Sequence, residues 1–140
     1  MEDCIFCKII SGEIPSAKVY EDDAVYVFLD ITQVTPGHTL VIPKKHVRDI
    51  FSYDDKLAST LFERIPKIAR AIQKAFPECK GLNIIQNNGE VAYQSVFHSH
   101  IHLIPRYSNN DGFSMSFKNN INTYNDTTFQ ARAQDIQKHI

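Results

Sequence analysis

At 140 residues the chain is long enough for one ordinary hydrophobic core and reads as a single domain, 1–140. Its 43% hydrophobic and 22% charged residues exclude disorder as the main state. The balance of 15 basic against 16 acidic side chains, net -1, gives no overall attraction to nucleic acid or to an anionic membrane, so any anion must be held by a local site.

The N-terminus, MEDCIFCKII, has no basic n-region and its apolar residues are interrupted by charges, so it does not read as a signal peptide. The apolar runs are far too short to span a bilayer. Three cysteines, two of them in Cys4-Ile5-Phe6-Cys7, point to a reducing, cytoplasmic setting and to a metal or redox use of the pair. One C-x-x-C is half of a tetrahedral zinc site, and no βαβ pattern supports a thioredoxin-type role. Two small buried thiols are the plain alternative.

Residues 19 to 29, VYEDDAVYVFL, predict two short strands around an acidic turn. Pro36-Gly37 marks a turn before a buried strand, Thr39 to Ile42. From 52 to 76, Leu57, Leu61, Ile65, Ile68 and Ile72 share one helical face, with Ser52 and Asp55 as a capping-box variant and Pro66 as an internal kink or break. Leu82 to Ile85 predicts a strand that ends in the turn Gln86-Asn87-Asn88-Gly89, and another strand follows over about 97 to 104. Ser108 to Thr123 reads as irregular, and a last helix runs from about 127 to 139, capped by Asp126 or Thr127. His139, in its last turn, complements the helix dipole. This order predicts an α+β fold: a mainly antiparallel β-sheet with one long helix and a C-terminal helix.

The segment His98-Ser99-His100-Ile101-His102 places three of the six histidines at alternate positions. On a strand that spacing turns all three imidazoles to one face. They could bind a transition metal, since imidazole suits zinc. One or two could be satisfied structural histidines, although burying three titratable rings together costs free energy without partners. Alternatively the middle ring could be a nucleophile, because neutral imidazole can attack phosphorus and split one hard step into two. The neighbouring Asn87-Asn88-Gly89 and Tyr93-Gln94-Ser95 favour this last reading. Their amides, hydroxyls and turn N–H groups suit phosphate oxygens better than a metal, and Glu90 is the one carboxylate close in sequence.

HSHIHLI fits His-φ-His-φ-His-φ-φ except for Ser99 at the first φ, and so resembles the signature of the histidine-triad family of nucleotide hydrolases and transferases. The resemblance extends to Phe6, Lys8-Ile9-Ile10, Ile14-Pro15, Glu21-Asp22, Phe28-Leu29-Asp30, Pro36-Gly37-His38, Val41 through His46 and Asn87 through Ser95, about the first three quarters of the chain. It implies that His100 attacks the α-phosphorus and carries a transient nucleotidyl group. His102 and His38 would bind the phosphate oxygens, and Ser95 would contact the phosphate or leaving group. Asn87 and Gln94 would support the phosphate side. Asp30 would accept from the ribose hydroxyls, and Phe6, Phe28 and Ile31 would sandwich a purine base. A carboxylate gripping a diol is a charge-assisted contact, though Asp30 also reads as a simple strand-end residue.

The same resemblance, to bacterial members above all, implies a structural zinc on Cys4, Cys7, His46 and His98, no catalytic metal, and a homodimer. His98 would then hold metal while His100 does the chemistry. The reaction implied is hydrolysis of a purine nucleoside 5′-phosphoramidate or phosphoanhydride to the nucleoside monophosphate, suppressed when acid protonates His100. A dinucleoside polyphosphate hydrolase and a nucleotide-binding regulatory module are the alternatives. A catalytic metal centre is a third. Ser99 bears on local packing, since its side chain faces the core and a hydroxyl there needs an acceptor. Cys79 reads as an ordinary thiol, and Lys44-Lys45 as a solvated strand end.

Overall fold

The computed structural model describes residues 3–140. Its framework is one sheet of five strands, β1 (Lys18–Glu21), β2 (Val25–Leu29), β3 (Thr39–Pro43), β4 (Gly81–Gln86) and β5 (Ile101–Arg106), in the order β1-β2-β3-β5-β4 with every neighbouring pair antiparallel. Four α-helices accompany it: α1 (Ile5–Ile10), α2 (Asp55–Phe62), α3 (Ile65–Ala75) and α4 (Asp126–Gln137). The predicted α+β class holds.

Alternation along β2 and β3 divides the core in two. Val25, Val27 and Val41 face one way, and with Ile101 and Leu103 they pack on Leu61, Ile65, Ile68 and Ile72 of α2 and α3. Tyr26, Phe28, Leu40 and Ile42 face the other way and pack on Phe6 and Ile9 of α1. Both faces of the central strands are therefore dry, which explains why β3 is an unbroken apolar run rather than an alternating one. His102 stands opposite Leu40 in the β3–β5 ladder, and paired residues share a face, so His102 lies on the α1 side.

The expected break at Pro66 splits the long helix in two, since Pro66 lies in the first turn of α3, where the missing N–H is harmless. Three boundaries differ from expectation. The start of α2 is Asp54, whose carboxylate accepts from the Leu57 amide at 2.7 Å, while Ser52 belongs to a separate 3-10 turn. Asn125, rather than Asp126 or Thr127, caps α4, accepting from the Thr128 amide at 2.9 Å, and His139 lies beyond the helix end. The histidine strand begins only at Ile101, so His98 and His100 precede the ladder.

Helix α1 was not foreseen. The spacing of Cys4 and Cys7 that reads as a ligand pair is also a helix start, with Cys4 Sγ accepting from the Cys7 amide at 3.4 Å.

The turn that delivers His38 depends on Gly37, which has φ +90°; a Cβ there would meet the Phe76 ring at 2.9 Å. Gln33 braces the same loop, accepting from the Gly37 amide at 3.0 Å and donating to the Asp30 and His38 carbonyls. Gly37→Ala is therefore expected to lower the unfolding free energy by about 1–3 kcal/mol. A urea midpoint equal to that of the wild type would show that the turn is unconstrained.

Candidate active site

His98, His100 and His102 all sit on the α1 side but face three different neighbourhoods. His98 is fully buried, and its Nε2–H donates to the Pro43 carbonyl at 2.8 Å. That leaves the Nδ1 lone pair free, and it points at Cys4 Sγ (3.5 Å) and Cys7 Sγ (3.6 Å). His46 Nδ1 lies 3.4 Å from Cys7 Sγ. The four ligand atoms are all within 4.8 Å of one another. Separations near 3.5 Å suit a tetrahedral ion with bonds of about 2.0–2.3 Å, and the Pro43 carbonyl is the outer partner that fixes the His98 ring. These are the four residues that the family resemblance implies.

His100 makes a different kind of bond. Its Nδ1–H donates to the carbonyl of His98 at 2.8 Å, because a carbonyl can only accept. The proton is thereby placed on Nδ1, and Nε2 carries a free lone pair. The edge of Phe6 stands 5.1 Å away, centroid to centroid, so the first turn of α1 walls the ring. Burial lowers the pKa of His100 below its ordinary value, outweighing the His98 carbonyl and Asp30, which act against it, and so favours the neutral ring.

His102 belongs to a relay. The Val34 amide donates to His38 Nδ1 at 3.3 Å, so the His38 proton is on Nε2. That Nε2 meets His102 Nδ1 at 2.9 Å, making His102 the acceptor. By the same logic the His102 proton is on Nε2, which is turned into a donor. Burial holds His38 below its ordinary pKa and pushes His102 down to about 4. Asp30 sits beside the pair, Oδ2 lying 3.6 Å from His38 Nε2 and 3.9 Å from His102 Nδ1. Burial opposes its ionisation, but bonds from Thr32 and the nearby histidines outweigh that, and the net shift is downward. The carboxylate beside the histidines is thus Asp30, remote in sequence, rather than Glu90.

The remaining predicted residues are spread more widely. Phe28 packs against Phe6 at 5.6 Å, both rings buried, whereas Ile31 is 98% exposed just past β2. Ser95 is exposed and lines a cleft with Cys4, Ile5, His46 and Arg48, on the side of the metal-type cluster. Asn87 makes one long contact, 3.5 Å to the Tyr93 carbonyl. Gln94 is a buried brace: it accepts from the Gly89 amide at 2.8 Å and donates to the Arg48 and Val96 carbonyls at 2.7 and 3.1 Å. Both ends of its amide are spent on backbone, so it shapes the loop rather than offering a free donor. Lys44 is paired with Glu21 at 2.7 Å. Arg106 ties Asp111, Asn83 and the Phe113 carbonyl together at the end of β5. Sequence reasoning missed the backbone partners, the Pro43 carbonyl, the Val34 N–H and the Val47 carbonyl that accepts from the Ser99 amide, because any residue supplies them.

The sequence profile described as "HIT domain" matches residues 11–109. A Bacillus subtilis protein named "Protein hit" is 54% identical over 139 residues, 99% of this chain and 95% of its own. A Candida albicans protein named adenosine 5′-monophosphoramidase is 39% identical over 117 residues, 81% of this chain and 77% of its own. A crystal structure of a Bacillus subtilis HIT family member superposes with a TM-score of 0.95 at 54% identity, covering 99% of this chain and 97% of that one. A Zn-bound histidine triad family protein from Mycobacterium smegmatis superposes at 0.74, with 38% identity and 84% of each chain covered.

The buried rings give the metal-free fold a pH signature. His98 and His102 drop from 6.5 to about 4 on folding, chiefly through burial, so the unfolded chain binds more protons between those values. Their contribution to stability is whole above about pH 6.5 and is lost as pH falls toward 4. The Tm of chelator-treated protein is expected to fall steadily from pH 7 to pH 4.5. A flat Tm across that window would contradict neutral burial.

Proposed function

The chain belongs to the histidine-triad (HIT) family, and on that premise we propose that it hydrolyses purine nucleoside 5′-phosphoramidates, or related phosphoanhydrides, through a nucleotidyl-histidine intermediate. The observation that carries this reading is the bond from His100 Nδ1–H to the His98 carbonyl, which leaves Nε2 as a neutral nucleophile inside a walled site. Its attack on the α-phosphorus would break the P–N bond to the leaving amine, which departs with a proton taken from solvent, on the side we assign to Ser95. Water would then attack the same phosphorus, break the bond to His100 and release the nucleoside monophosphate.

The relay supplies the electrostatics. His102 Nε2–H, oriented by His38 and ultimately by the Val34 amide, is aimed to donate to the phosphate oxygens, a preorganised contact that strengthens as charge develops. Asp30, held ionised by Thr32, accepts from the ribose hydroxyls, with Asn87 bordering the phosphate side. The base lies over exposed Ile31, with the Phe6–Phe28 pair as the packed floor. Gln94 acts on this site through the loop it braces.

We further propose that zinc occupies Cys4, Cys7, His46 and His98 as a closed structural site. It would supply no step of the reaction, and its office is to pin α1, with Phe6, beside His100. A homodimer in the cytoplasm completes the reading. Strand β4 is an open sheet edge, and α4 buries none of its residues while exposing Phe129 and Ile136. No helix among the described residues is long and apolar enough to cross a membrane.

Wild-type protein is expected to release AMP from adenosine 5′-phosphoramidate, and His100→Ala to lose at least about 1000-fold in kcat while remaining folded. Activity retained in that variant would sink the nucleotidyl-histidine route. For the metal, the purified protein should carry one zinc per chain by elemental analysis. Its removal should lower the Tm by several degrees, roughly the effect of 1–2 kcal/mol in a domain of this size. A chain that purifies metal-free with an unchanged Tm would remove zinc from the account.

A further inference from the structure

Ser99 sits where the histidine-triad pattern has an apolar residue, and the structure shows what its hydroxyl touches. Ser99 is 1% exposed, and its Oγ lies 2.7 Å from Tyr53 Oη and 2.9 Å from Gln86 Nε2. Gln86 Nε2 also donates to Tyr53 Oη at 3.2 Å, closing a three-membered polar ring. Tyr53 comes from the turn before α2 and packs on the α2–α3 core, whereas Gln86 is the last residue of β4. An apolar side chain at 99 would leave a tyrosine hydroxyl and an amide without their shared partner, so the three residues form a matched set.

Their position gives the set a task. The β3–β5 ladder stops at Val41 opposite Ile101, and β4–β5 stops at Gln86 opposite the same residue. His100 therefore lies just outside the sheet, without ladder bonds of its own to fix it. The peptide between His98 and Ser99 is what holds it. The N–H of that unit donates to the Val47 carbonyl at 2.7 Å, and its C=O accepts from His100 Nδ1 at 2.8 Å. The two bonds polarise one amide in the same sense and strengthen each other. Any rotation of this peptide unit breaks both at once and releases the proton that defines the His100 tautomer.

We infer that Ser99, Tyr53 and Gln86 are positioning residues for His100: they lock the 98–99 peptide from the opposite side of the chain and thereby keep the Nδ1–H tautomer singly populated. This deepens the hydrolase reading and rests on it for its kinetic consequence, though not for its structural one. None of the three touches the reacting atoms.

Two measurements test it on the intact 140-residue chain as purified. In the first, histidine-labelled wild type, Ser99→Ala and Tyr53→Phe are compared by long-range proton–nitrogen NMR, which distinguishes the two neutral tautomers. Wild-type His100 should show the Nδ1–H form alone, and both variants a mixture. In the second, AMP release from adenosine 5′-phosphoramidate is followed well below each variant's Tm. Each substitution should lower kcat about tenfold or more with KM little changed, because a misplaced nucleophile loses rate rather than ground-state binding. The double variant should be no slower than the slower single one, since either change opens the same ring.

A Ser99→Ala protein with a single Nδ1–H tautomer and a kcat within about twofold of wild type would overturn the proposal. So would a loss confined to Tm or to KM. Tyr53→Phe keeps the aromatic packing, so it decides the matter if Ser99→Ala fails to fold. Should wild type release no AMP, the hydrolase reading falls, and the NMR comparison alone still supports or overturns the positioning role.

Discussion

The arrangement turns on the carbonyl of His98. It accepts the Nδ1 proton of His100, while the imidazole of the same residue donates to Pro43 and offers its other nitrogen to Cys4 and Cys7. One residue thus ties a metal-type cluster to the His100 imidazole through its own backbone. A displacement of the His98 main chain would be felt at both. The peptide that carries this carbonyl is anchored from three directions: Val47 through its N–H, the thiol cluster through the His98 ring, and Tyr53 and Gln86 through the Ser99 hydroxyl.

The sheet makes that concentration possible. Its central strands are buried on both faces, so the two sets of alternating side chains serve different ends. On one face they weld the sheet to α2 and α3. On the other they meet α1 and, further along, the histidines. Helix α1 is six residues long and could not persist alone; it is held by Phe6 and Ile9 in the second core and by a cap, Cys4, that is also one of the four clustered thiols and imidazoles. A single short segment therefore closes the core, carries two thiols and walls His100.

Protonation states in the site follow from a few backbone groups whose donor or acceptor character is fixed. A carbonyl forces a proton onto His98 Nε2 and another onto His100 Nδ1, while the Val34 amide forces one onto His38 Nε2 and so onto His102 Nε2. Burial keeps the rings neutral. The result is an acceptor at His100 beside a donor at His102, on residues of identical chemistry whose centroids are 5.1 Å apart. The difference between them is entirely environmental.

By itself the sequence determined the order of the strands, most of them to within a residue or two though the histidine strand starts later than expected, the break at Pro66 and the irregular stretch after Ser108, while the set Cys4, Cys7, His46 and His98 came from the family resemblance. Periodicity and proline are local signals that survive without coordinates, and so is the C-x-x-C pair, which is half of a site. It also singled out Ser99 as out of pattern. Only the tertiary structure decided that the three histidines serve three different neighbourhoods, that α1 exists, that Gln94 is spent on backbone, and that Asp30 joins His38 and His102. Those outcomes depend on main-chain donors and acceptors brought together from distant strands, such as Pro43, Val47 and Val34, which every residue type possesses and no side-chain pattern reveals. The meaning of Ser99 was hidden for the same reason: its partners, Tyr53 and Gln86, lie 46 and 13 residues away and meet it only once the sheet has formed.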